Sequence, residues 1–481
     1  MTKKIINRTL IVLCFCVFCV ACTSTKQTYL NILKKEKKEL PTYLSQRDET
    51  DRPYLQGNLN LEDSLKIALQ YNKQLLAVLE EKAISKGRET EAVSFALPHL
   101  DASAAYSHLD HSLVISGKTV SVKELDNYSL DLQVRQPIFH GGAIYAGIVS
   151  ASLGRHIADE QIRGQLQKTV YDTVKSYFDV LLAHSLYQVH EKAVLSAKGH
   201  LKEVESKLKE GLASHYDQLR AQVEVSNFEA VLIKQQNHIN LSQTTFLKVI
   251  GASLKSKVEL TESLDYSEFH IEIEKALKIA LLNRHEILSA ALVLGIQEEG
   301  LKIARSGWLP KINSFFGYKW GKPEPQANTT DSWGRDWSGG VNLQWSIFDG
   351  LRTKGAVDRE KALIRQKEYL LKNIKEIVSL NIEQALLSLQ DADNLVKSQS
   401  FDLKRSKEAL ELAELNFKEG MAAEIVVTDA LSATARSASL YYTALYQHSL
   451  SRLNLDLAMG ILSFQSVKEE GQVKENKQVK K

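Results

Sequence analysis

The stretch Trp337-Ser-Gly-Gly-Val-Asn-Leu-Gln-Trp-Ser-Ile347 changes character at every second residue. Trp337, Gly339, Val341, Leu343, Trp345 and Ile347 fall on one side of an extended chain, and Ser338, Gly340, Asn342, Gln344 and Ser346 on the other. A period of two predicts a β-strand with one apolar and one polar face. A strand of a soluble sandwich would alternate as well. A run of about ten residues with a Trp near each end of its apolar face fits a strand that crosses a membrane, with the polar face lining water.

A second alternating run precedes it at Tyr128-Ser-Leu-Asp-Leu-Gln-Val-Arg-Gln136. Upstream partners are expected from about His99 to Ser112 and from about Lys311 to Trp320, where Ile312, Phe316, Tyr318 and Trp320 share one face. The connecting segments Val114 to Asp126 and Gly321 to Asp336 carry Gly, Pro, Asn, Ser and charge, and are expected to be exposed loops. Each chain then holds two β-hairpins, at about 99–138 and 311–347. Four strands cannot close a membrane barrel, for which about eight is the minimum, and an open sheet edge cannot face lipid. The chain must assemble with copies of itself, and spacing alone allows a dimer with eight strands or a trimer with twelve.

The two hairpins belong to an internal two-fold repeat. Leu61-Glu-Asp-Ser-Leu-Lys-Ile-Ala-Leu69 aligns with Ile273-Glu-Lys-Ala-Leu-Lys-Ile-Ala-Leu281, a shift of 212 that also pairs Leu97-Pro98 with Leu309-Pro310. Farther on, Ile138-Phe139-His140-Gly141 matches Ile347-Phe348-Asp349-Gly350 at a shift of 209. That shift carries Lys209-Glu210-Gly211 onto Lys418-Glu419-Gly420 and Gly251 onto Gly460. The repeats are set at 61–262 and 263–464.

After each hairpin the period lengthens. All seven prolines lie outside 138–309 and 326–481, and those stretches are rich in helix formers. Heptad spacing shows at Val194, Ala197, Leu201, Val204, Leu208 and at Leu403, Ser406, Leu410, Ala413, Phe417. Helical hairpins are expected at about 143–251 and 351–460. A continuous helix from Ala143 to Gly211 would reach roughly 100 Å.

At the start of the chain, Lys3, Lys4 and Arg8 precede an apolar run from Leu10 to Ala21, which reads as a signal peptide over 1–21. All four cysteines, Cys14, Cys16, Cys19 and Cys22, fall in or at the end of this segment, so the mature chain can form no internal disulfide. Residues 22–60 are expected to be a tether, and the charged tail 465–481 to be disordered. Loss of the three signal-peptide cations leaves a nearly neutral chain from the formal +3, which gives no electrostatic case for nucleic acid.

No catalytic constellation emerges. Gly117-Lys118-Thr119 lacks the first glycine of a phosphate loop, Ser112 standing in its place. His140-Gly141-Gly142 resembles an oxyanion turn, but no Gly-x-Ser-x-Gly elbow accompanies it. His184 and His190 are six apart, a spacing that does not bring two metal ligands to one helix face. Neither an enzyme, a cofactor nor a metal site is expected.

The order and duplication of these motifs resemble one family, the TolC-like outer-membrane efflux proteins. The resemblance covers about 61–462 and rests on the paired LKIAL openings and the Leu-Pro entries. It rests also on Gln136-Pro137-Ile138-Phe139-His140-Gly141-Gly142 with its echo Trp345-Ser346-Ile347-Phe348-Asp349-Gly350, and on the two Lys-Glu-Gly turns. It implies a membrane α+β fold: a homotrimer whose twelve-stranded β-barrel, four strands per chain, continues into a long α-helical barrel in the periplasm.

By the same resemblance the protein is a passive exit duct of a tripartite efflux or type I secretion system, joined through a periplasmic adaptor to an inner-membrane pump. Gly211 and Gly420 would stand at the helical tip that meets the adaptor, with Asp217 six residues after the first. In the second turn the six-residue position is Val426 and the nine-residue position Asp429, so Asp429 alone would form a pore constriction. A basic residue that locks the closed tip in some members has no counterpart at Ala422.

Cys19-Val20-Ala21-Cys22 resembles a lipobox with Cys19 where leucine is usual, which implies acylation of Cys22 and an anchor in outer-membrane lipid. The rival reading is a lipid-anchored periplasmic coiled coil of purely structural role; a closed porin is the third.

Overall fold

The computed structural model describes residues 52–116, 119–322 and 333–463, together with Lys34. The signal peptide, Cys22, most of the tether and the charged tail lie outside the described residues.

Strand β1 (Gln56–Leu59) is followed by α1 (Leu61–Tyr71), α2 (Lys73–Leu79) and α3 (Glu81–Ser94), then by β2 (His99–Ser116) and β3 (Thr119–His140). The first long arm is α4 (Ala143–Lys209) and α5 (His215–Ile250). The second half follows the same plan with two helices in place of three before its hairpin: β4 (Lys257–Leu260), α6 (Ile273–Asn283), α7 (His285–Arg305), β5 (Lys311–Lys322), β6 (Gly334–Gln344), α8 (Arg352–Lys418) and α9 (Glu424–Ala458). Helices α4 and α8 have 67 residues each, about 100 Å of uninterrupted helix.

Two expectations are corrected. The segment Val114 to Asp126 is mostly strand rather than loop, because β2 and β3 stay paired out to Ser116 and Thr119. The strand read as Trp337 to Ile347 stops at Gln344. Gln344 pairs with Lys311, the first residue of β5, and Pro310 just before it has no N–H to extend the ladder. The tether ends in structure as well: Gln56–Leu59 pairs in parallel with Lys257–Leu260, which ties the segment just before the first repeat to the segment just before the second.

One buried cluster joins the middle of α4 to the C-terminal end of α5. Tyr177 and Phe246, both fully buried, meet edge to face at 5.8 Å and pack under Leu59, Ala68 and Val258. In the second copy, Ala276 and Ala280 of α6 lie against Val378 and Ile382 of α8. The duplicated LKIAL helices thus use their small buried residues to dock on a long helix.

The strand-to-helix junctions show where the copies diverge. Gly142 takes φ +82° at the head of α4, whereas Leu351, at the matching position before α8, takes φ +68°. A leucine there crowds its Cβ against the backbone at a cost of about 1 kcal/mol. Leu351→Gly should therefore raise stability, by up to about 1 kcal/mol after glycine's entropy is offset. Comparison of thermal unfolding midpoints checks it, and an unchanged or lower midpoint would show that the leucine side chain contributes packing of its own.

Candidate functional site

Strands β2, β3, β5 and β6 form one antiparallel sheet in that order, so β2 and β6 are its edges. Its register sorts the two faces. Leu100, Ala102, Ala104 and Tyr106 lie opposite Val134, Leu132, Leu130 and Tyr128, which in turn oppose Phe316, Tyr318, Trp320 and Lys322. Trp337, Val341 and Leu343 complete this face on β6 and are 68, 65 and 61 % exposed. An apolar surface left bare to this degree by the chain itself demands a cover. At one end it closes in an aromatic cluster, Tyr106, Tyr128 and Trp333, with ring centroids 5.1 and 6.0 Å apart. The opposite face carries Asp101, Ser103, Ser129, Asp131, Gln133, Arg135, Lys319 and Asp336.

At the far end of the long helices, each arm turns on a glycine. Gly211 and Gly420 take φ +77° and +75°, and neither would meet a neighbour within 4 Å if it carried a Cβ. In both turns the residue after the glycine donates back to a carbonyl five residues earlier, Leu212 to Lys207 and Met421 to Asn416, each at 2.8 Å. The neighbouring bonds, Gly211 to Leu208 and Gly420 to Phe417, complete the left-handed helix stop that glycine permits.

The two turns are then secured differently. In the first, Ser214 caps α5: its hydroxyl accepts from the Asp217 N–H at 3.1 Å while the Asp217 carboxylate accepts from the Ser214 N–H at 2.8 Å. Hydrogen bonds from Ser214 hold the Asp217 carboxyl below its ordinary range. Asp217 thus has a local task at the tip. In the second turn the cap position is Ala423, which offers no side-chain bond. Here the first arm supplies the support. Lys207 Nζ donates to the carbonyls of Phe417 and Lys418 at the C-terminus of α8 and sits 4.2 Å from the Phe417 ring centroid.

Beneath the second turn lies Glu424, 4 % exposed. Its carboxylate accepts from the Thr428 hydroxyl, and stands 3.4 Å from Arg220 Nε of α5 and 3.7 Å from His200 Nε2 of α4. Burial pushes the Glu424 carboxyl up and the His200 imidazole down, each toward its neutral form. Glu424, His200, Arg220 and Lys207 were not legible as a group in the sequence, since they come from three helices and 225 residues of chain. Asp429 is exposed, five residues beyond Glu424 on α9.

Among the described residues no group of three or more His, Cys, Asp or Glu is arranged to hold a metal ion.

The chain matches the family model described as outer membrane efflux protein twice, over residues 65–252 and 276–461, one match per repeat. It is 23 % identical over 441 residues to the outer membrane protein TolC of Vibrio cholerae, covering 90 % of this chain and 97 % of that protein. Among solved structures it resembles the Campylobacter jejuni CmeC outer membrane channel, with a TM-score of 0.74, 16 % identity, and coverage of 85 % of this chain and 89 % of that one. It is also similar to the outer membrane protein VceC of Vibrio cholerae, with a TM-score of 0.73, 16 % identity, and coverage of 84 % and 96 %. Two family matches that span both repeats, over a sheet with a bare apolar face and two 67-residue helices, place the chain in the outer membrane efflux protein family.

Proposed function

We propose that three copies close their sheets into one twelve-stranded barrel in the outer membrane, and that the long helices continue it as a periplasmic duct. The observation that carries this is the four-stranded sheet with an exposed apolar face and two edges, β2 and β6, that pair with no other strand among the described residues. Edges of that kind are stable in lipid only when another copy supplies the missing strand. Family membership favours the trimer over the eight-stranded dimer that strand count also allows. A structural coiled coil would have no use for a bare face of Trp, Val and Leu.

The duct is passive, and a periplasmic adaptor joins its tip to an inner-membrane pump in an efflux or type I secretion system. Gly211 and Gly420 supply the rigid turns of the tip, and Asp217 holds the first turn in shape for that contact. Leu212 and Met421, 72 and 73 % exposed beside the two glycines, would give the adaptor an apolar grip. Cys22 carries the lipid anchor; the mature chain should then begin at Cys22 with the added mass of its acyl chains, and an intact mass without them would remove the anchor.

The closed tip is held by Lys207, His200 and Arg220 of the first arm acting on the second turn, with three copies of Asp429 at the constriction. Single-channel recording of the purified protein, after its mass in detergent is measured, tests both. Glu424→Gln removes the carboxyl group that Arg220 Nε approaches and should raise open probability several-fold, while Asp429→Ala should lower cation preference and leave open probability unchanged. A trimer whose conductance ignores Glu424→Gln would separate the clasp from the gate. A monomer that needs no detergent and conducts no ions would sink the duct itself.

A further inference from the structure

The polar face of the sheet carries a single Phe, Tyr or Trp among its described positions, Phe315. It lies in a cross-strand row in which His99 on β2 opposes Arg135 on β3, Arg135 opposes Phe315 on β5, and Phe315 opposes Gly340 on β6. Directly opposed residues hold their Cβ atoms about 5 Å apart, so the guanidinium of Arg135 is within reach of the Phe315 ring. On the other side the edge of the ring reaches Gly340: a Cβ built there would stand 3.3 Å from the ring's Cε1 and Cζ. A side chain at position 340 would press on the ring from the strand side, and glycine spares it that contact.

Arg135 is exposed and donates from Nη2 to the Gln133 side chain at 2.7 Å. No ion pair within 4.0 Å engages it among the described residues, whereas Lys319, nearer the other end of the same face, stands 4.0 Å from Asp131. A shallow cavity of about 500 Å³ opens over this row, lined by His99, Asp101, Gln133, Arg135, Phe315 and Asn342. Beyond the one bond to Gln133, the guanidinium keeps N–H donors that can take a carboxylate in paired hydrogen bonds, and the neighbouring Phe315 ring offers stacking to a planar ring. Asp101 on the same wall repels a second negative group.

We propose that this row is a subsite on the lumen wall for planar aromatic monocarboxylates passing through the barrel. It rests on the duct reading, since only in a closed barrel does this face line a lumen, and the test separates the two. Purified full-length protein is recorded in planar bilayers with 2-naphthoate, and with cyclohexanecarboxylate and 2-naphthylmethylammonium as comparators. Naphthoate should reduce the unitary current with an affinity on the order of 1 mM. Arg135→Gln should weaken that effect about tenfold, and Phe315→Leu about fivefold.

Arg135→Lys, which keeps the charge and loses the fork, should fall between wild type and Arg135→Gln. Lys319→Gln should leave naphthoate block as in wild type. Ion conduction with no response to naphthoate, or with a response that Arg135→Gln and Phe315→Leu do not change, overturns the subsite and leaves the duct standing. Equal block by cyclohexanecarboxylate removes the aromatic element, and equal block by the ammonium removes the anionic one; either overturns the proposal. A protein that conducts nothing overturns the duct reading and the subsite with it.

Discussion

Leu132→Arg should cost about 2–4 kcal/mol of stability and sharply reduce the detergent-resistant oligomer, whereas Ser103→Arg should cost almost nothing. The two positions lie on adjacent central rows of the same sheet and differ in the face they occupy. Leu132 opposes Ala102 and Tyr318 on the apolar face, two rows in from the Tyr106–Tyr128 pair that ends it. From that depth a guanidinium must bend toward the interface or draw water into the hydrocarbon. Ser103 opposes Asp131 on the polar face, where an added arginine gains a partner and stays in water. Urea unfolding from lipid vesicles measures the difference. Equal costs for the two substitutions would show that neither face meets lipid, and would return the sheet to a soluble sandwich.

Alternation at 128–136 and 337–347 was enough to read the faces of the sheet, because which face a strand residue takes depends only on parity. Where a strand ends depends on its partner, and no local pattern reports it. Trp345 and Ile347 continue the alternation of β6, yet the indole N–H of Trp345 donates at 3.0 Å to the carbonyl of Trp308, in the turn before β5, and the ladder is already over. Glycine, serine and charge made 114–126 look like loop, but the ladder between β2 and β3 runs through most of it, because pairing is decided by the backbone of the partner strand.

The tip divides in the same way. Gly211 and Gly420 are visible because a left-handed stop requires a particular residue. Glu424 is invisible because nothing in its neighbourhood says that this helix start faces His200 and Arg220 of the other arm. Residues whose task is set by backbone geometry could be read from sequence; those whose task is set by which helices touch could not.

The second large effect follows from the two glycines that close the upper ends of the arms. Gly251 ends α5 at φ +78°, as Gly211 ends α4 at φ +77°. In open space, alanine at such a site costs about 1 kcal/mol for the left-handed backbone, and this is all that Gly211→Ala should show. At Gly251 a Cβ would stand 2.3 Å from the carbonyl oxygen of Tyr71 and 2.6 Å from its carbon, both main-chain atoms at the end of α1. These atoms cannot rotate away. Asn72 next to them is fastened too, its side-chain amide donating at 2.7 Å to the Val249 carbonyl while its oxygen caps α2. Relief of the clash must therefore separate α1 from α5, at the edge of the core that holds Tyr177 and Phe246.

The added overpacking is worth about 1–3 kcal/mol, so Gly251→Ala should lose about 2–4 kcal/mol in total. Gly460 repeats the arrangement against Asn283, with contacts of 2.9 Å, and its alanine variant should fall between the other two. Thermal unfolding of the three variants measures the series. The ranking Gly251, Gly460, Gly211 would show that the two repeats use a common joint, in which a helix stops so that the duplicated LKIAL helix can pass close behind it. Equal losses at all three would mean that only backbone handedness matters, and that the joint between the short and long helices has room to give.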